Sequence, residues 1–438
     1  MTPLWRTATA IYRDRRMLTI LLIGFSSGLP LALTIGVMSA WLKDAGLSKT
    51  AIGLFAFVGL PYNLKFAWAP LLDGIRVPWL ADRLGPRRSW ALTVQIVLAL
   101  AIAAFALIDP NTRPYLVALV ALAVAFLSAS QDIVVDAYRV EILEERTQGA
   151  GAAVVQLGYR FGMLASGAGA LVIANAMGWP TAFLVMAALI GVGMIAILAS
   201  PEPAERPRAV VEDESHHAPL RAWTERYFVG PFANFMKRPY WQAILLFVIL
   251  YKLSDAMIGR MTNPFYIELG FSLDEIAAVT KVFGLISTLG GAMAGGLVVA
   301  RVGVVRGLLI CGVLQMLSNL AFAGLAAIGH DIGVLIVAIG VENFAEGMGS
   351  AALVAYLSAL CVQGFTATQY ALLSSLAALP RSTLGALSGW LADRLDWVTF
   401  FLVVPTFALP GLLLLLWLMS REGALPAHET RDAATETA

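Results

Sequence analysis

The sequence has few charged residues for its length. Lys, Arg, Asp and Glu together make up 13% of its 438 residues, whereas hydrophobic residues make up 59%. Soluble domains usually contain about 25% charged residues, because most of their surface faces water. The shortage of charge therefore excludes an ordinary soluble protein. The formal net charge is +1, and the basic residues lie in short loops rather than in one run, so we predict no nucleic-acid partner.

Cysteine and histidine are also scarce, with two and four residues. Cys311 and Cys361 fall in or beside hydrophobic segments without the spacing of metal ligands, so we interpret them as small buried apolar residues. The histidines all lie in loops or in the tail: His216, His217, His330 and His428. The sequence contains no metal-ligand cluster and no nucleophile with His and acid partners. We therefore predict no catalytic residue, no metal site and no cofactor, and hence not an enzyme.

Long apolar segments follow one another along nearly the whole chain. Each is about 20 residues or more, which is the length that a helix needs to cross a bilayer. We predict an all-α membrane protein with about twelve such helices, an even number that places both termini on one side. The basic residues are concentrated in alternate loops, and Arg13, Arg15 and Arg16 precede the first segment. Because loops on the cytoplasmic side are rich in Lys and Arg, we predict that both termini are cytoplasmic. The first segment is too long for a signal peptide.

One long polar interruption follows the sixth predicted helix, at residues 201–240. Its first part is rich in Pro and charge, like a linker, and its second part places aromatic residues such as Trp223 and Phe228 at the spacing of an interfacial helix. We therefore expect an N-terminal six-helix half at residues 1–200 and a cytoplasmic linker with an amphipathic helix at 201–240. A C-terminal six-helix half follows at 241–420, and a disordered cytoplasmic tail at 421–438.

Two carboxylates stand near the end of the fourth predicted helix, at Asp132 and Asp136. Residues four apart share one face of a helix, about 6 Å apart along its axis. A charge at bilayer depth costs about 2.5–3.5 kcal/mol even on insertion scales, so this face looks into the bundle or into a wet cavity. The pair indicates a site for protons or cations. The alternative is that both acids only form ion pairs that hold helices together.

The charges inside the predicted helices repeat with a period of three helices. Helices 2, 5, 8 and 11 each contain one cation: Lys65, Arg160, Lys281 and Arg381. Helices 4, 7 and 10 contain acids: Asp132, Asp136, Asp255, Glu342 and Glu346. Such a pattern is typical of repeats in which every third helix is peripheral and the others line a central cavity. The alternative is that four cations fell at equivalent places by chance.

One loop occurs twice. Asp82, Arg83, Gly85 and Arg88 follow the second predicted helix, and Arg301, Gly303 and Arg306 repeat the Arg, Gly and Arg positions after the eighth. The first loop resembles the Asp-Arg-x-Gly-Arg-Arg signature of the major facilitator superfamily, with Pro86 inserted. That resemblance implies a cytoplasmic gate made of six residues: Asp82, Arg83, Gly85, Arg88, Arg301 and Arg306. The second copy lacks the Asp, which implies a weaker latch.

Beyond the superfamily, the chain resembles the AmpG-type muropeptide permeases of Gram-negative inner membranes. The segments that carry the likeness in the first half are residues 25–31, 60–66, 130–137 and 158–163. Those in the second half are residues 250–256, 342–344, 347–349 and 367–374. The resemblance implies import of anhydro-sugar peptides, driven by the proton gradient, by alternating access of the two halves. Glu346 departs from the family, which has a small residue there.

The charged and aromatic residues of the predicted helices fit protons and such a cargo. Proton coupling is expected from five carboxylates: Asp132, Asp136, Asp255, Glu342 and Glu346. Substrate binding is expected from cations that neutralise peptide carboxylates, from aromatic rings that stack on sugars and from two amides: Tyr62, Lys65, Gln131, Tyr159, Arg160, Lys252, Lys281, Gln369 and Arg381. The expected partners are the lipid bilayer, protons and a small sugar-peptide, and we expect a monomer.

Two other classes of function fit the same residues. A carrier of the same architecture could take another cargo, such as acetyl-coenzyme A, a siderophore or a drug. A membrane enzyme or a receptor that transports nothing is the second class, and the missing catalytic constellation disfavours an enzyme. Uptake of labelled anhydro-muropeptide into vesicles would separate the cargo classes.

Overall fold

The computed structural model describes residues 11–47, 58–203, 223–272, 275–276, 279–383 and 385–421. The regular structure in these ranges is helical throughout. The numbered helices are α1 (Arg15–Ala32), α2 (Leu60–Leu64 and Ala69–Gly74), α3 (Pro86–Leu107), α4 (Pro114–Ile142), α5 (Gln148–Met177), α6 (Trp179–Ala199), α7 (Trp241–Glu268), α8 (Leu285–Val302), α9 (Val304–Ile328), α10 (Ile332–Ala359), α11 (Thr366–Thr383) and α12 (Trp397–Met419).

Shorter helical segments complete these elements. A π-helical turn at Leu33–Val37 extends α1 into Met38–Asp44, a 3-10 turn at Lys65–Ala67 joins the two parts of α2, and Gly385–Ala392 follows α11. Two short α-helices of the described chain lie outside the numbered set, at Leu80–Leu84 and Gly230–Met236. Below, α1–α6 are called the N-half and α7–α12 the C-half.

Nine helices of the described chain are long and apolar enough to cross a membrane, namely α3–α10 and α12. The prediction of an all-helical membrane fold is therefore confirmed. The number of twelve, the sidedness of the termini and the division into domains stay predictions. Residues 204–222 of the predicted linker and residues 422–438 of the predicted tail lie outside the described residues.

The two copies of the basic loop have the same backbone. Gly85 and Gly303 both adopt a φ of 86° immediately before α3 and α9. Only glycine takes that conformation readily, because it lacks a Cβ atom. Each glycine thus turns the chain sharply between two consecutive helices.

Glycines let neighbouring helices pack with their backbones in contact. A Cβ atom on Gly158 of α5 would collide with the carbonyl oxygen of Leu21 on α1, and Gly28 of α1 meets the backbone of Tyr159 in the same way. In the C-half, Gly347 of α10 meets the carbonyl of Thr288 on α8. Small residues are the usual means of close helix packing in membranes. This packing fixes the position of α5 relative to α1.

We expect Gly158→Ala to destabilise the protein by about 1–3 kcal/mol, because the added methyl group must push two helix backbones apart. Gly191→Ala on α6 is the matched control, since a Cβ atom there meets nothing within 4 Å. The control should be neutral or slightly stabilising, as Ala favours helix over Gly by about 0.5–1 kcal/mol. Thermal unfolding in one detergent measures both variants, and equal unfolding midpoints would contradict the packing argument.

The two halves contact each other at one end of the bundle, which we call the closed end. There the start of α5 lies against α8, and a Cβ atom on Gly149 would lie 3.1 Å from Cα of Gly296. The hydroxyl of Tyr12 donates to the carbonyl of Met293 at 2.8 Å. The ends of α4 and α8 and the starts of α3 and α11 lie at the same end. The closed end therefore seals one side of the space between the halves.

Candidate functional site

Asp132 and Asp136 face a cavity between the two halves, as their spacing on α4 predicts. The cavity has a volume of about 190 Å³. Its lining comes from five helices of both halves: Ser27, Asp132, Val135, Asp136, Val155, Gln156, Tyr159, Val354, Tyr370 and Ser374. A drug-sized ligand needs about 300 Å³ or more, so this space fits one sugar ring or one carboxylate group of a larger cargo.

The two carboxylates of α4 have different partners. Ser27 of α1 donates its hydroxyl hydrogen to Oδ1 of Asp132 at 2.7 Å. The ammonium group of Lys65, at the middle of α2, lies 3.9 Å from Oδ2 of Asp136. The side chains of Lys65 and Asp136 are 13% and 22% exposed, so their mutual attraction is only partly screened by water. The structure thus brings three of the predicted site residues together.

The other predicted N-half residues surround this group without all lining the cavity. Tyr159 lines it, and Arg160 next to it on α5 is exposed. Tyr62 is half-buried and packs against the apolar cluster that includes Leu29. Gln131 is fully buried and donates from Nε2 to the Ser26 hydroxyl at 3.3 Å. Gln131 therefore lies between α4 and α1 rather than on the cavity wall.

A second charged group lies in the C-half, where α7 is interrupted at Lys252. The Lys252 ammonium donates to Oδ2 of Asp255 at 3.2 Å and to the Ser350 hydroxyl at 2.9 Å. It also lies 3.9 Å from Oε1 of Glu346 on α10. Gln315 of α9 donates to Asp255. Three predicted residues, Lys252, Asp255 and Glu346, thus form one ion-paired cluster.

Glu342 stands one turn before Glu346 on α10 and is held differently. Its Oε2 accepts from Nδ2 of Asn343 at 3.0 Å, and Oδ1 of Asn343 accepts from the Thr288 hydroxyl at 2.9 Å. Glu342 is thereby linked to α8.

Two predicted cations of the C-half cannot be placed by their side chains. Lys281 lies in the π-helical turn at Val279–Gly284, and the side chains of Lys281 and Arg381 lie outside the described part of the structure.

Gln369 does not line the cavity. It is buried at the start of α11, where Nε2 donates to the carbonyl of Pro231 at 3.1 Å and to Oδ1 of Asn234 at 3.3 Å. Both acceptors belong to the short helix Gly230–Met236. The π-helical turn Glu225–Val229, directly before this helix, contacts the N-half, because the ring of Tyr227 lies against Gly74. Gln369 therefore fixes this helix against the closed end.

A buried ion-pair cluster that no sequence pattern predicts stabilises the closed end. The guanidinium of Arg87 at the start of α3 donates to Oδ1 of Asp73 at 2.8 Å and to both carboxylate oxygens of Glu141 at 2.6 and 2.9 Å. The fully buried Asp73 carboxylate also accepts from the backbone N–H of Thr368 at 2.8 Å and from its hydroxyl at 2.7 Å. A carboxylate is favoured at a helix N-terminus, so Asp73 joins the N-half to α11.

The residues predicted for the gate lie outside the cluster of Arg87, Asp73 and Glu141. Asp82 and Arg83 are exposed, and the Arg83 guanidinium lies 4.4 Å from the Trp79 ring centre. Arg88 donates to the carbonyls of Ile197 and Leu198 at the end of α6. Gly85 forms the turn before α3, and Arg301 and Arg306 are exposed around the α8–α9 turn.

Glu202 closes the same end from the chain that follows α6. Its carboxylate accepts from the backbone N–H groups of Arg87 and Arg88 at 2.8 and 3.0 Å, and so caps α3. Burial raises the pKa of the Glu202 carboxyl, while the two hydrogen bonds oppose that rise. The cap stabilises the turn that positions Arg87.

The geometry supports a ligand site that is closed on one side. Two carboxylates face a cavity between the two halves, and the Lys65 ammonium lies 3.9 Å from one of them. The contacts at the closed end seal the cavity on one side. In the described residues, no group of three or more His, Cys, Asp and Glu side chains has the geometry to hold a metal ion.

Comparisons with known proteins identify the family of this chain. Residues 20–262 match the family model of the Major Facilitator Superfamily. The chain is 40% identical to the anhydromuropeptide permease of Escherichia coli K12 over 408 residues, which are 93% of this chain and 80% of that protein. It is 38% identical to the putative transporter AmpG 4 of Rickettsia felis over 412 residues, 94% of this chain and 98% of the relative.

Solved structures show the same fold at low sequence identity. The fucose:proton symporter FucP of E. coli superposes with a TM-score of 0.67 at 12% identity, covering 93% of this chain and 98% of that one. The proton:xylose symporter XylE superposes with a TM-score of 0.63 at 14% identity, covering 95% and 98%.

Proposed function

This chain belongs to the AmpG-type anhydromuropeptide permeases of the major facilitator superfamily, and from that premise we propose that it is a muropeptide transporter. The observation that supports this proposal best is the cavity between the halves, which is lined by Asp132 and Asp136, with the Lys65 ammonium 3.9 Å from Asp136. A muropeptide carries both sugar hydroxyls and peptide carboxylates. The carboxylates and phenols of the cavity wall, together with the ammonium group beside Asp136, offer partners for both groups.

Proton coupling is the second part of the proposal. Ionisable residues inside a membrane are costly and are usually kept for function. Asp132 and Asp136 lie four residues apart. Asp132 accepts from the Ser27 hydroxyl, and Asp136 lies 3.9 Å from the Lys65 ammonium. When the cavity opens, water reaches these carboxylates, and when it closes they lose that water. A proton taken up on one side of the membrane is then released on the other.

Import into the cytoplasm is the third part. The closed end holds Arg87, Arg88, Arg301 and Arg306, and positive charge favours the cytoplasmic side. The cavity then opens to the periplasm, where cell-wall turnover releases muropeptides. We therefore propose an inner-membrane importer of Gram-negative bacteria, monomeric, with a linker at residues 201–240 on the cytoplasmic side. Rocking of the two halves would expose the cavity to each side in turn.

Uptake by purified protein in proteoliposomes tests the cargo. Labelled GlcNAc-anhydroMurNAc-tripeptide should accumulate under an inward proton gradient, and an excess of unlabelled muropeptide should compete. Acetyl-coenzyme A, a ferric siderophore and a cationic drug are the comparison cargoes. Accumulation of one of these three without uptake of the muropeptide would show that the cargo is wrong while the architecture stands.

We expect Arg160→Lys to weaken muropeptide binding about five- to tenfold. A lysine keeps the charge but cannot grip a carboxylate with two parallel N–H groups. Arg160 is exposed beside the cavity-lining Tyr159, and Arg381, at the equivalent repeat position on α11, should behave alike. Arg83→Lys, exposed at the closed end, is the control and should bind normally.

Equilibrium binding to the detergent-purified variants measures this effect. A cargo without its peptide should bind to Arg160→Lys as it does to the parent, because the carboxylates are then absent. An equal loss for the peptide-free cargo would show that Arg160 acts on the sugars or on the fold.

A further inference from the structure

Arg139 is the largest fully buried charged side chain of the N-half in the described chain, and the proposed function does not use it. It lies near the end of α4, three residues after Asp136, and its side chain is 0% exposed. Nη1 donates to Oε1 of Gln148 on α5 at 3.1 Å, and Nη2 donates to the Ser358 hydroxyl on α10 at 3.2 Å. The guanidinium also lies over the Tyr370 ring of α11 at 5.3 Å. Arg139 thus contacts both halves at the closed end.

The charge of Arg139 is only weakly compensated. Among the described residues, Asp136 supplies the one carboxylate within 4 Å of it, with Nη2 and Oδ1 3.9 Å apart. The same carboxylate lies 3.9 Å from the ammonium of Lys65. Nε of Arg139 is buried without a hydrogen-bond partner. A buried charge is tolerated only when it is paired and hydrogen-bonded. One carboxylate therefore serves two cations.

Other ionisable groups face Asp136 and Arg139 from every neighbouring helix. They are Lys65 on α2, Asp132 on α4, Tyr159 on α5, Cys361 after α10 and Tyr370 on α11. Tyrosine and cysteine already hold their proton below about pH 8, by their ordinary pKa values. On acidification a further proton therefore binds to Asp132 or Asp136.

We propose that Arg139 couples protonation of the Asp132–Asp136 pair to the opening of the closed end. With both carboxylates ionised, the charges of Asp132, Asp136, Lys65 and Arg139 sum to zero, although Asp136 is the near partner of both cations. A proton from the side to which the cavity is open binds one carboxylate and leaves one buried cation without a counter-charge. Water can reach Arg139 only if α4 parts from Ser358 and Tyr370 of the C-half, so protonation favours the open form. This inference rests on the proposed proton coupling.

Distances between two spin labels across the closed end test the coupling. Glu144, exposed after α4, and Val302, exposed at the end of α8, lie on opposite halves. Both are replaced by labelled cysteines in a Cys311→Ala, Cys361→Ala background, in lipid nanodiscs without cargo or gradient. The parent should show a short distance at pH 8 and a growing long-distance population at pH 5.

Four variants separate coupling from a structural role. Arg139→Gln should stay at the short distance at both pH values, and Arg139→Lys should keep the response to pH. Asp136→Asn, which imitates the protonated state, should show the long distance at both pH values. Adding Arg139→Gln to Asp136→Asn should restore the short distance, because no buried charge then lacks a partner. A double variant that stays open, or a pH response in Arg139→Gln equal to that of the parent, would overturn the inference.

Ser358→Ala decides the matter should Arg139→Gln fail to fold. It removes one hydrogen bond from the closed form and keeps the charge. Opening should then occur at a pH higher by about one unit or more, and an unchanged midpoint would overturn the inference.

The spin-label experiment contains no cargo, so a failure of this inference is distinct from a failure of the proposed function. A parent that opens with pH but takes up no muropeptide would refute the cargo alone, whereas gradient-driven uptake without pH-dependent opening would refute the role of Arg139 alone.

Discussion

Asp136→Asn should reduce gradient-driven uptake of muropeptide to the level of empty proteoliposomes. Asparagine has nearly the same shape as aspartate but cannot bind and release a proton. It also leaves Lys65 and Arg139 without the carboxylate that lies 3.9 Å from each. Initial uptake rates at an imposed pH gradient measure the effect, with the amount of protein in the membrane determined in parallel.

Ser374→Ala is the matched control for this prediction. Ser374 lines the same cavity as Asp136 but carries no charge, so its variant should retain most of the uptake. Asp132→Asn should also lose uptake, since Asp132 shares the cavity and accepts from Ser27. Parent-level uptake by both aspartate variants would remove α4 from proton coupling.

Asp73→Asn should open the closed end about ten- to a hundredfold more often than in the parent. The Asp73 carboxylate is fully buried, pairs with Arg87 and accepts two hydrogen bonds from Thr368 on the other half. A hydrogen bond to a charged group contributes about 1.5–3 kcal/mol, and about 1.4 kcal/mol changes a population tenfold. Loss of this charge therefore weakens the contact between α2 and α11.

The rate at which a thiol reagent labels Ala292→Cys reports this opening. Ala292 is buried at the contact of α8 with Ala152 and Ala153 of the other half, so reagent reaches it only when the closed end parts. Asp82→Asn and Arg83→Ala, both exposed, are controls from the same loop region and should label at the parent rate. Faster labelling of Arg83→Ala together with an unchanged rate for Asp73→Asn would place the gate in the Asp82–Arg83 pair after all.

The sequence predicts the fold class and the acidic face of α4 because both follow from local rules. Segment length and apolarity identify membrane helices, and a separation of four residues places Asp132 and Asp136 on one face. Lys65 lies 3.9 Å from Asp136, but α2 contributes no residue to the lining of the cavity, so the repeat pattern that places Lys65 on a cavity-lining helix stays a prediction.

The closed-end contacts could not be predicted in the same way. Asp73 and Arg87 are 14 residues apart in sequence, and Asp73 meets Thr368 only because α11 packs against α2. The superfamily signature points to Asp82 and Arg83. Pro86, inserted before Arg87, shifts the basic pair by one residue relative to that signature. Arg139 looks in sequence like an ordinary basic residue at a helix end, since its burial depends on Ser358 and Tyr370 of the other half.

Proton movement that accompanies cargo tests the central claim most directly. Parent protein is reconstituted into vesicles that contain a pH-sensitive dye, with potassium and valinomycin to hold the membrane potential at zero. Adding GlcNAc-anhydroMurNAc-tripeptide outside should acidify the interior, and neither Asp132→Asn nor Asp136→Asn should do so. Entry of labelled muropeptide through the parent protein at constant internal pH would contradict the account.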